Sequence, residues 1–217
     1  RRFFYAPDVS FISDGAQGWI NVAIGSGHRE MPVSDKSAVN RFYSLRDYNR
    51  FTVIDSAQYK ATCTSTETSP CHQIITDTDT RLVDITANVT TPVPLNGAGW
   101  KLTLTLGGEK TLAESRTFQK QIYFTSFEPS LISTDPATCS SKFGINRLYV
   151  VDAATGNPVR NFDVATAANA SASDRSKELK QRGTIAPEAI FVFPKPDDPA
   201  DPRGDPVCLI GLENCGS

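Results

Sequence analysis

Short apolar runs rich in β-branched and aromatic residues alternate with polar segments along the whole chain of 217 residues. The clearest case is residues 19–24, Trp-Ile-Asn-Val-Ala-Ile, which predict a β-strand. Gly25 and Gly27 end that strand, and their expected role is steric, because glycine lets the chain turn or approach closely. After a long polar loop, residues 40–47 predict a second strand that runs antiparallel to the first.

Further strands are expected in the second half of the chain. Residues 100–106 alternate apolar and polar side chains and predict a half-buried strand, the first of a four-strand meander that ends near Gly156. A meander of that size corresponds to one propeller blade. Residues 174–181 predict either part of a flexible linker or a short helix. Residues 185–193 and 207–212 predict closing strands, so the fold class is all-β, with antiparallel sheets and long decorated loops.

One short pattern occurs twice. Residues 40–43 read Asn-Arg-Phe-Tyr and residues 146–149 read Asn-Arg-Leu-Tyr, and in each case an aspartate follows and a predicted strand precedes. Repeated sheet units suggest a propeller or an array of sheets. The alternative is a chance similarity between two amphipathic strands.

Composition and charge exclude several classes of protein. The chain is 39% hydrophobic and 21% charged, with a formal net charge of -2, which is ordinary for a globular protein. It lacks the basic stripe that nucleic-acid binding requires. No apolar run has the length of a membrane span. Because the chain begins with Arg1 and shows no signal peptide, we expect a mature piece or a fragment of a longer protein.

The five cysteines predict disulfide bonds and an oxidising compartment. Cys63 and Cys71 bracket a Ser/Thr-rich loop, and we favour a bond between them. Cys139 can pair with Cys208 or Cys215, or Cys208 and Cys215 can pair with each other. One cysteine remains in every case, either free or bonded to another part of the protein.

Signatures of metal binding and catalysis are weak. The chain has two histidines, and Cys63, Cys71 and His72 lack the spacing of a zinc finger. Residues 76–84 carry aspartates at alternate positions but lack the glycine and the late glutamate of a calcium loop, which favours a solvated turn leading into a strand. Adjacent opposite charges such as Arg46-Asp47 are expected to tie loops to a sheet. We therefore predict no catalytic residue, no metal ligand and no cofactor.

A candidate adhesion motif, Arg203-Gly204-Asp205, lies within the proline-rich residues 194–206. A stiff exposed loop would present this tripeptide as integrin ligands require. The alternative is that glycine and aspartate simply suit a turn after proline.

Several motifs in the same order resemble those of a known family. They are GWINVAIGSGHRE, NRFYSLRD, LVDIT, GWKLTLTLGGEK, IYFTSFEP and NRLYVVDAATG. Together they resemble the C-terminal propeller region of the PilY1-type family, the type IV pilus tip and biogenesis proteins. The resemblance covers residues 8–156, with a weaker tail to residue 215.

This resemblance implies a modified β-propeller and export to the pilus tip, the outer membrane, the cell surface or the periplasm. It also implies non-enzymatic roles in pilus assembly, twitching motility and surface adhesion. The implied partners are minor pilins, the rest of the parent propeller and a host surface receptor. The family's Asp-rich calcium loop has no counterpart in this chain, so no calcium role is assigned. At roughly 40–50 residues per blade, the chain is too short for a seven-bladed ring and is expected to supply its C-terminal blades.

We predict three parts and keep two alternative functions. Residues 1–164 are the C-terminal blades, residues 165–184 a linker or short helix, and residues 185–217 closing strands with a proline-rich loop. One alternative is a quinoprotein-like propeller enzyme, because residues 148–156 also resemble the blade motif of such enzymes. The other is a scaffold that docks another envelope protein, which would leave a large apolar edge or face uncovered.

Overall fold

A computed structural model describes residues 1–15, 17–48, 56–60, 62–63, 72–87, 89–129, 144–162, 171–180, 184–194 and 206–215. Within these ranges the chain is almost entirely β-structure, with two short 3-10 helices at Ser56–Gln58 and Ala172–Arg175. The strands are β1 (Asp8–Asp14), β2 (Gln17–Gly25), β3 (Arg41–Asp47), β4 (Tyr59–Lys60), β5 (His72–Gln73), β6 (Leu82–Asp84), β7 (Gly99–Thr103), β8 (Lys110–Thr111), β9 (Arg116–Phe118), β10 (Gln121–Glu128), β11 (Ile145–Asp152), β12 (Ser176–Glu178), β13 (Ile190–Val192), β14 (Val207–Ile210) and β15 (Glu213–Asn214).

Sheet 1 contains five strands in the order β1-β2-β3-β7-β6. β2 pairs antiparallel with β3, which confirms the two strands predicted on either side of the long loop. The glycines that follow β2 make a close approach possible. A Cβ atom on Gly27 would lie 2.3 Å from the carbonyl oxygen of Thr111, so the predicted steric role is confirmed.

Sheet 2 has the order β12-β11-β10-β8, with β9 also paired to β10, and sheet 3 has the order β13-β14-β15. The predicted meander from Trp100 to Gly156 is therefore wrong in its first strand. β7 belongs to sheet 1, where it pairs with β3 and β6. It is also buried on both faces rather than on one, because Lys101 is covered as well as Trp100 and Leu102.

Sheet 2 lies between the other two sheets. Its side chains Phe124 and Tyr149 join the core that sheet 1 forms through Trp19, Phe42 and Trp100. The residues beside them on the same strands, Tyr123, Leu148 and Val150, point to the other face of sheet 2 and pack against sheet 3. This second core contains Tyr123, Leu148, Val150, Leu179, Ala186, Ala189, Cys208, Ile210 and Cys215. Sheets 1, 2 and 3 therefore follow one another in chain order and stack face to face. A fourth described sheet contains only β4 and β5.

For residues 174–181 the sequence predicts either part of a flexible linker or a short helix, and the described residues 174–180 instead contain the end of a 3-10 turn and a strand. The turn ends at Arg175, and β12 then pairs antiparallel with β11, with Ser176 opposite Tyr149. Pairing with an available strand edge outweighs the weak helical preference of these residues. The closing strands β13 and β14 are confirmed and pair antiparallel.

One of the alternative disulfides is present. Cys208 and Cys215 are bonded, with their Cα atoms 5.3 Å apart, and they close the β14–β15 hairpin. Cys63 is also disulfide-bonded. Cys71 and Cys139 lie outside the described residues, so the Cys63–Cys71 bond stays a prediction.

The described sheets are open, and they close into neither a barrel nor a complete propeller ring. The all-β class is confirmed, and the described strands pair antiparallel except that β4 and β5, and β6 and β7, pair parallel. The propeller and the division into three parts stay predictions. Arg203-Gly204-Asp205 also falls outside the described residues.

Candidate docking site

The two copies of the Asn-Arg-apolar-Tyr pattern occupy equivalent places in neighbouring sheets. One copy opens β3 in sheet 1 and the other opens β11 in sheet 2. In both copies the asparagine is buried and holds a distant backbone segment. Asn40 donates from Nδ2 to the Glu109 carbonyl at 2.9 Å, and Asn146 donates from Nδ2 to the Thr184 carbonyl at 2.7 Å. The repeat seen in the sequence is therefore a repeat in structure.

In each copy the apolar residue and the tyrosine face opposite sides of the sheet. Phe42 faces sheet 2 and stacks on Phe124, with ring centroids 3.8 Å apart. Tyr149 faces sheet 1 and also stacks on Phe124, with ring centroids 4.6 Å apart. Tyr43 faces away from sheet 2. The face of sheet 1 that carries Tyr43 thus corresponds to the face of sheet 2 that carries Tyr149, which sheet 1 covers.

The outer face of sheet 1 is apolar across several strands. Strand register places Val9 opposite Val22 and Phe11 opposite Ile20, on the side away from the core. Val9 and Phe11 are 60% and 62% exposed. We call this side of sheet 1 the outer face, and its apolar side chains are Val9, Phe11, Ile20, Val22, Ile24, Tyr43 and Leu45. The same register places Arg41, Asp47 and Lys101 on this face, toward its ends. A sheet with one solvated face normally alternates apolar and polar positions, so this face differs from an ordinary surface.

A groove lies at the β3 and β6 end of the outer face. Its volume is about 270 Å³, and its lining residues are Phe3, Ile24, Tyr43, Leu45, Ile75, Thr76, Asp77 and Leu82. The N-terminal segment forms one wall, where Phe3 contacts Tyr43 with ring centroids 6.1 Å apart. The Gly27 amide donates to the Arg2 carbonyl at 2.9 Å and fixes that wall to the end of β2.

A cluster of charges forms the rim of this groove around Asp77. Arg1 donates to the Asp77 carboxylate at 3.0 Å, and the Arg41 guanidinium bonds the same oxygen. Tyr43 donates its hydroxyl to the other carboxylate oxygen at 2.9 Å. Lys101 donates from Nζ to the Asp77 backbone carbonyl. Among the described residues, two cations thus contact the Asp77 carboxylate and a third contacts its backbone carbonyl, so the rim carries a surplus of positive charge.

The ionisation of Asp77 follows from these contacts. Partial burial acts to raise the pKa of Asp77, but the hydrogen bonds from Arg41 and Tyr43 and the charge of Arg1 outweigh it, so the pKa is lowered. Burial and the neighbouring Asp77 raise the pKa of the Tyr43 hydroxyl. Asp77 is therefore the anion of the rim, and Tyr43 is a neutral donor.

The equivalent tyrosine in sheet 2 has a different surrounding. Tyr149 donates to Glu109 at 2.9 Å, and Ser126 donates to the same oxygen at 2.5 Å. The nearby Arg147 binds both Glu178 at 2.9 Å and Glu128 at 3.3 Å. Carboxylates therefore outnumber cations here, whereas cations outnumber carboxylates at the rim of the groove.

Glu109 was not anticipated from the sequence, where it reads as part of a tight turn after Gly107-Gly108. It is only 1% exposed, and its Oε2 atom has no hydrogen-bond partner in the described structure. Burial raises its pKa, and the hydroxyl donors Ser126 and Tyr149 oppose this only in part. The available signal was the Arg-x-Tyr spacing at β11, which places both side chains on one face of a strand and calls for an acidic partner.

The other sequence-predicted charges have structural partners. Arg46 lies 4.5 Å from the Trp19 ring and donates to the carbonyls of Pro94 at 2.7 Å and Ala154 at 2.5 Å, so it ties two loops to sheet 1 as predicted. Asp79 binds Arg81 at 2.6 Å, within turns that lead into β6. Among the described residues, no group of three His, Cys, Asp or Glu side chains could hold a metal ion. The same part of the chain contains no helix long and apolar enough to cross a membrane.

Comparison with known proteins gives a structural likeness without a sequence match. No protein-family model matches the chain, and no curated protein matches it in sequence. The fold is similar to the crystal structure of the Pseudomonas aeruginosa PilY1 C-terminal domain, with a TM-score of 0.56 and 14% sequence identity. The similarity covers 98% of this chain and 44% of that domain. The chain thus spans less than half of the PilY1 C-terminal domain and has a PilY1-like fold over that part.

Proposed function

We propose that this chain is a non-enzymatic module of an exported type IV pilus tip or biogenesis protein, which supports pilus assembly, twitching motility and surface adhesion. The observation that carries this proposal is the PilY1-like fold, which extends over 98% of the chain. The Cys208–Cys215 disulfide supports a place outside the cytoplasm, where such bonds persist. Minor pilins at the pilus tip are the proposed partners.

Sheets 1, 2 and 3 are proposed to be consecutive parts of a modified propeller that further residues complete. Two observations support this proposal. The sheets follow one another in chain order and pack face to face. Their central strands β3 and β11 also carry the same Asn-Arg-apolar-Tyr pattern in the same orientation. Repeated sheets around an axis are the architecture of a propeller.

The module is proposed to act by docking, and the outer face of sheet 1 is its proposed contact surface. Val9 and Phe11 each expose more than half of their surface, and both lie on β1, a strand at the edge of the sheet. Contiguous exposed apolar surface of this kind marks protein interaction sites. This observation also favours the docking scaffold as the second candidate function, and the two differ in whether the partners belong to the pilus.

The test is a charge placed on the outer face within the intact parent protein. We expect Val9→Glu to reduce surface piliation and twitching, because burying a carboxylate against an apolar partner is costly. Val192→Glu is the matched control, since Val192 is 44% exposed and lies on sheet 3. Reduced piliation with Val9→Glu alone, together with loss of co-purifying minor pilins, supports the proposal. Normal piliation and motility in both variants would reject the docking face, and a bound quinone would promote the enzyme.

Adhesion through Arg203-Gly204-Asp205 remains a separate proposal. Asp205→Glu keeps the charge and lengthens the side chain, so integrin binding should be lost if the tripeptide is the determinant. Host-cell binding that survives this substitution assigns adhesion to another surface.

A further inference from the structure

We propose that the groove on the outer face binds an extended peptide segment of a protein partner, which places a carboxylate beside an aliphatic side chain. The carboxylate binds the guanidinium groups of Arg1 and Arg41, and the aliphatic side chain packs between Leu45 and Ile75. This inference deepens the docking role proposed above and rests on it.

The charge of the rim calls for an anion. Asp77 receives hydrogen bonds from Arg1, Arg41 and Tyr43 and, at its backbone carbonyl, from Lys101. One carboxylate cannot neutralise three cations. A second carboxylate at this rim would restore the balance, and a partner is its proposed source, because charge complementarity steers and orients association.

Both guanidinium groups retain an unused donor. Arg1 uses Nε for the Val39 carbonyl and Nη1 for Asp77. Arg41 uses Nε for the Thr103 hydroxyl and Nη1 for Asp77. A guanidinium has five N–H groups, and the described contacts use two on Arg1 and three on Arg41, where the third goes to the Tyr43 hydroxyl. Arginine binds carboxylates through pairs of N–H donors, so the two guanidinium groups can together donate to one further carboxylate.

The inner copy of the repeat shows what a completed site of this kind contains. There, Arg147 lies against two glutamates and Tyr149 binds a third, Glu109, which the chain itself inserts between the two sheets. Arg41 and Tyr43 have the same spacing on the same kind of strand, yet in the described part of the chain Asp77 is the one carboxylate that binds them. The outer copy is therefore short of carboxylates relative to the inner copy.

The size and lining of the groove favour a side chain over a cofactor. Its volume of about 270 Å³ lies just below the roughly 300–1,000 Å³ of typical small-molecule sites. Aliphatic walls from Ile24, Leu45, Ile75 and Leu82 lead to the basic rim. Interface hot spots cluster in well-packed pockets from which water is excluded, and this groove offers such a pocket to one aliphatic side chain.

The test is a titration of the oxidised chain with two capped tetrapeptides, acetyl-Gly-Leu-Glu-Gly-amide and acetyl-Gly-Leu-Gln-Gly-amide. Methyl NMR signals of Ile24 and Leu45 report binding at this groove, because the neighbouring pocket that Ile75 also lines contains neither residue. We expect saturable shifts with the glutamate peptide and about tenfold weaker binding of the glutamine peptide. The difference should shrink in high salt, because exposed charge pairs are screened.

Variants separate the parts of the site. Arg41→Gln should reduce binding of the glutamate peptide to the level of the glutamine peptide. Asp77→Asn should strengthen binding, because it removes the competing carboxylate. Ile75→Ala should weaken both peptides equally. Arg116→Gln is the matched control, since Arg116 lies on β9 of sheet 2, where it binds Glu188 and Glu114, and its loss should leave both peptides unaffected.

Two outcomes would overturn the inference. One is the absence of saturable shifts with either peptide at millimolar concentration. The other is that a folded Arg41→Gln variant binds the glutamate peptide as tightly as the parent chain does. The titration depends on this groove alone. If neither peptide binds but Val9→Glu loses piliation, the proposed ligand is rejected and the docking face is kept. If the glutamate peptide binds but Val9→Glu is normally piliated, the ligand is kept and the docking face is rejected.

Discussion

Sheets 1 and 2 carry the same Asn-Arg-apolar-Tyr pattern on a central strand, and they differ in what lies over the tyrosine. Tyr149 is covered by sheet 1 and bonded to the buried Glu109. Tyr43 faces a groove and is bonded to Asp77, which is partly exposed. The local strand is the same in both cases, so the pattern determines orientation and leaves the covering group to other segments.

The two faces of sheet 1 show the same difference within one sheet. Phe42 lies on the inner face and is fully buried, while Leu45, three residues later, lies on the outer face and is partly exposed. Both are large and apolar. Apolar character on both faces of a sheet therefore indicates two contact surfaces, of which the fold itself fills one.

The largest effect is expected on the inner face. Phe42→Ala removes a fully buried ring that stacks on Phe124, and should lower the free energy of unfolding by about 3–5 kcal/mol. Leu45→Ala on the outer face should cost less than half as much, because its side chain is already partly exposed. Urea unfolding followed by fluorescence measures both. Equal losses would mean that the outer face is as tightly covered as the inner one.

The next effect concerns sheet 3, which covers the other face of sheet 2. Replacing both Cys208 and Cys215 with alanine should lower the free energy of unfolding by about 2 kcal/mol, because the bond closes a short loop. Thermal unfolding with and without a reducing agent provides the measurement. In the double variant, the reducing agent should cause no further destabilisation through this hairpin. Unchanged stability without the Cys208–Cys215 bond would show that packing alone holds sheet 3 in place.

A smaller effect separates the two acids by the sign of their pH dependence. Burial raises the pKa of Glu109 above its value in the unfolded chain, so Glu109 favours folding at low pH and that contribution is lost as pH rises through the folded pKa. Glu109→Gln should remove this loss, so the variant should gain stability relative to the parent chain as pH rises toward neutral. Urea midpoints from pH 4 to pH 8, a range of about four units, give the comparison.

Asp77 is the matched control for that measurement. Its pKa is lowered, so its contribution is present above the unfolded pKa and is lost as pH falls through the folded pKa. Asp77→Asn should therefore reduce stability at neutral pH and have little effect in acid. The same direction of pH dependence for both variants would contradict the assignment of one as a buried acid and the other as a rim anion.

The smallest effect on stability is expected at the exposed edge of the outer face. Val9→Thr keeps a β-branched side chain on β1 and should change the free energy of unfolding by less than about 0.5 kcal/mol. Its effect on partner binding should be larger than its effect on folding. A loss of stability comparable to that of Leu45→Ala would place Val9 in the core and remove it from the docking face.

Much of sheet 1 could be predicted from the sequence. Residues 19–24 and 40–47 are rich in β-formers and form β2 and β3, and the glycines after β2 have the expected steric role. Local composition succeeds here because the strands are long and the turn residues are distinctive. The repeat also pointed correctly to equivalent strands in two sheets.

Partners distant in sequence account for what the sequence did not predict. β8 has only two residues, and its burial depends on pairing with β10. β12 forms because β11 offers an edge, although its residues favour a helix more than a strand. The burial of Glu109 depends on Ser126 and Tyr149, far along the chain. The basic rim likewise brings together Arg1, Arg41 and Asp77, and no local pattern connects them.

The passage between the first two sheets offers a place to divide the molecule. The strands of sheet 1 lie within residues 8–103 and those of sheet 2 within residues 110–178, and the exposed Gly107 lies on the connection. Cleavage at Gly107 would leave two fragments with complementary aromatic faces, one with Phe42 and Trp100 and the other with Phe124 and Tyr149. Each fragment alone would expose its half of the shared core, so their reassembly should be strongly favoured. The two fragments can therefore serve as a self-associating pair that joins the proteins fused to them.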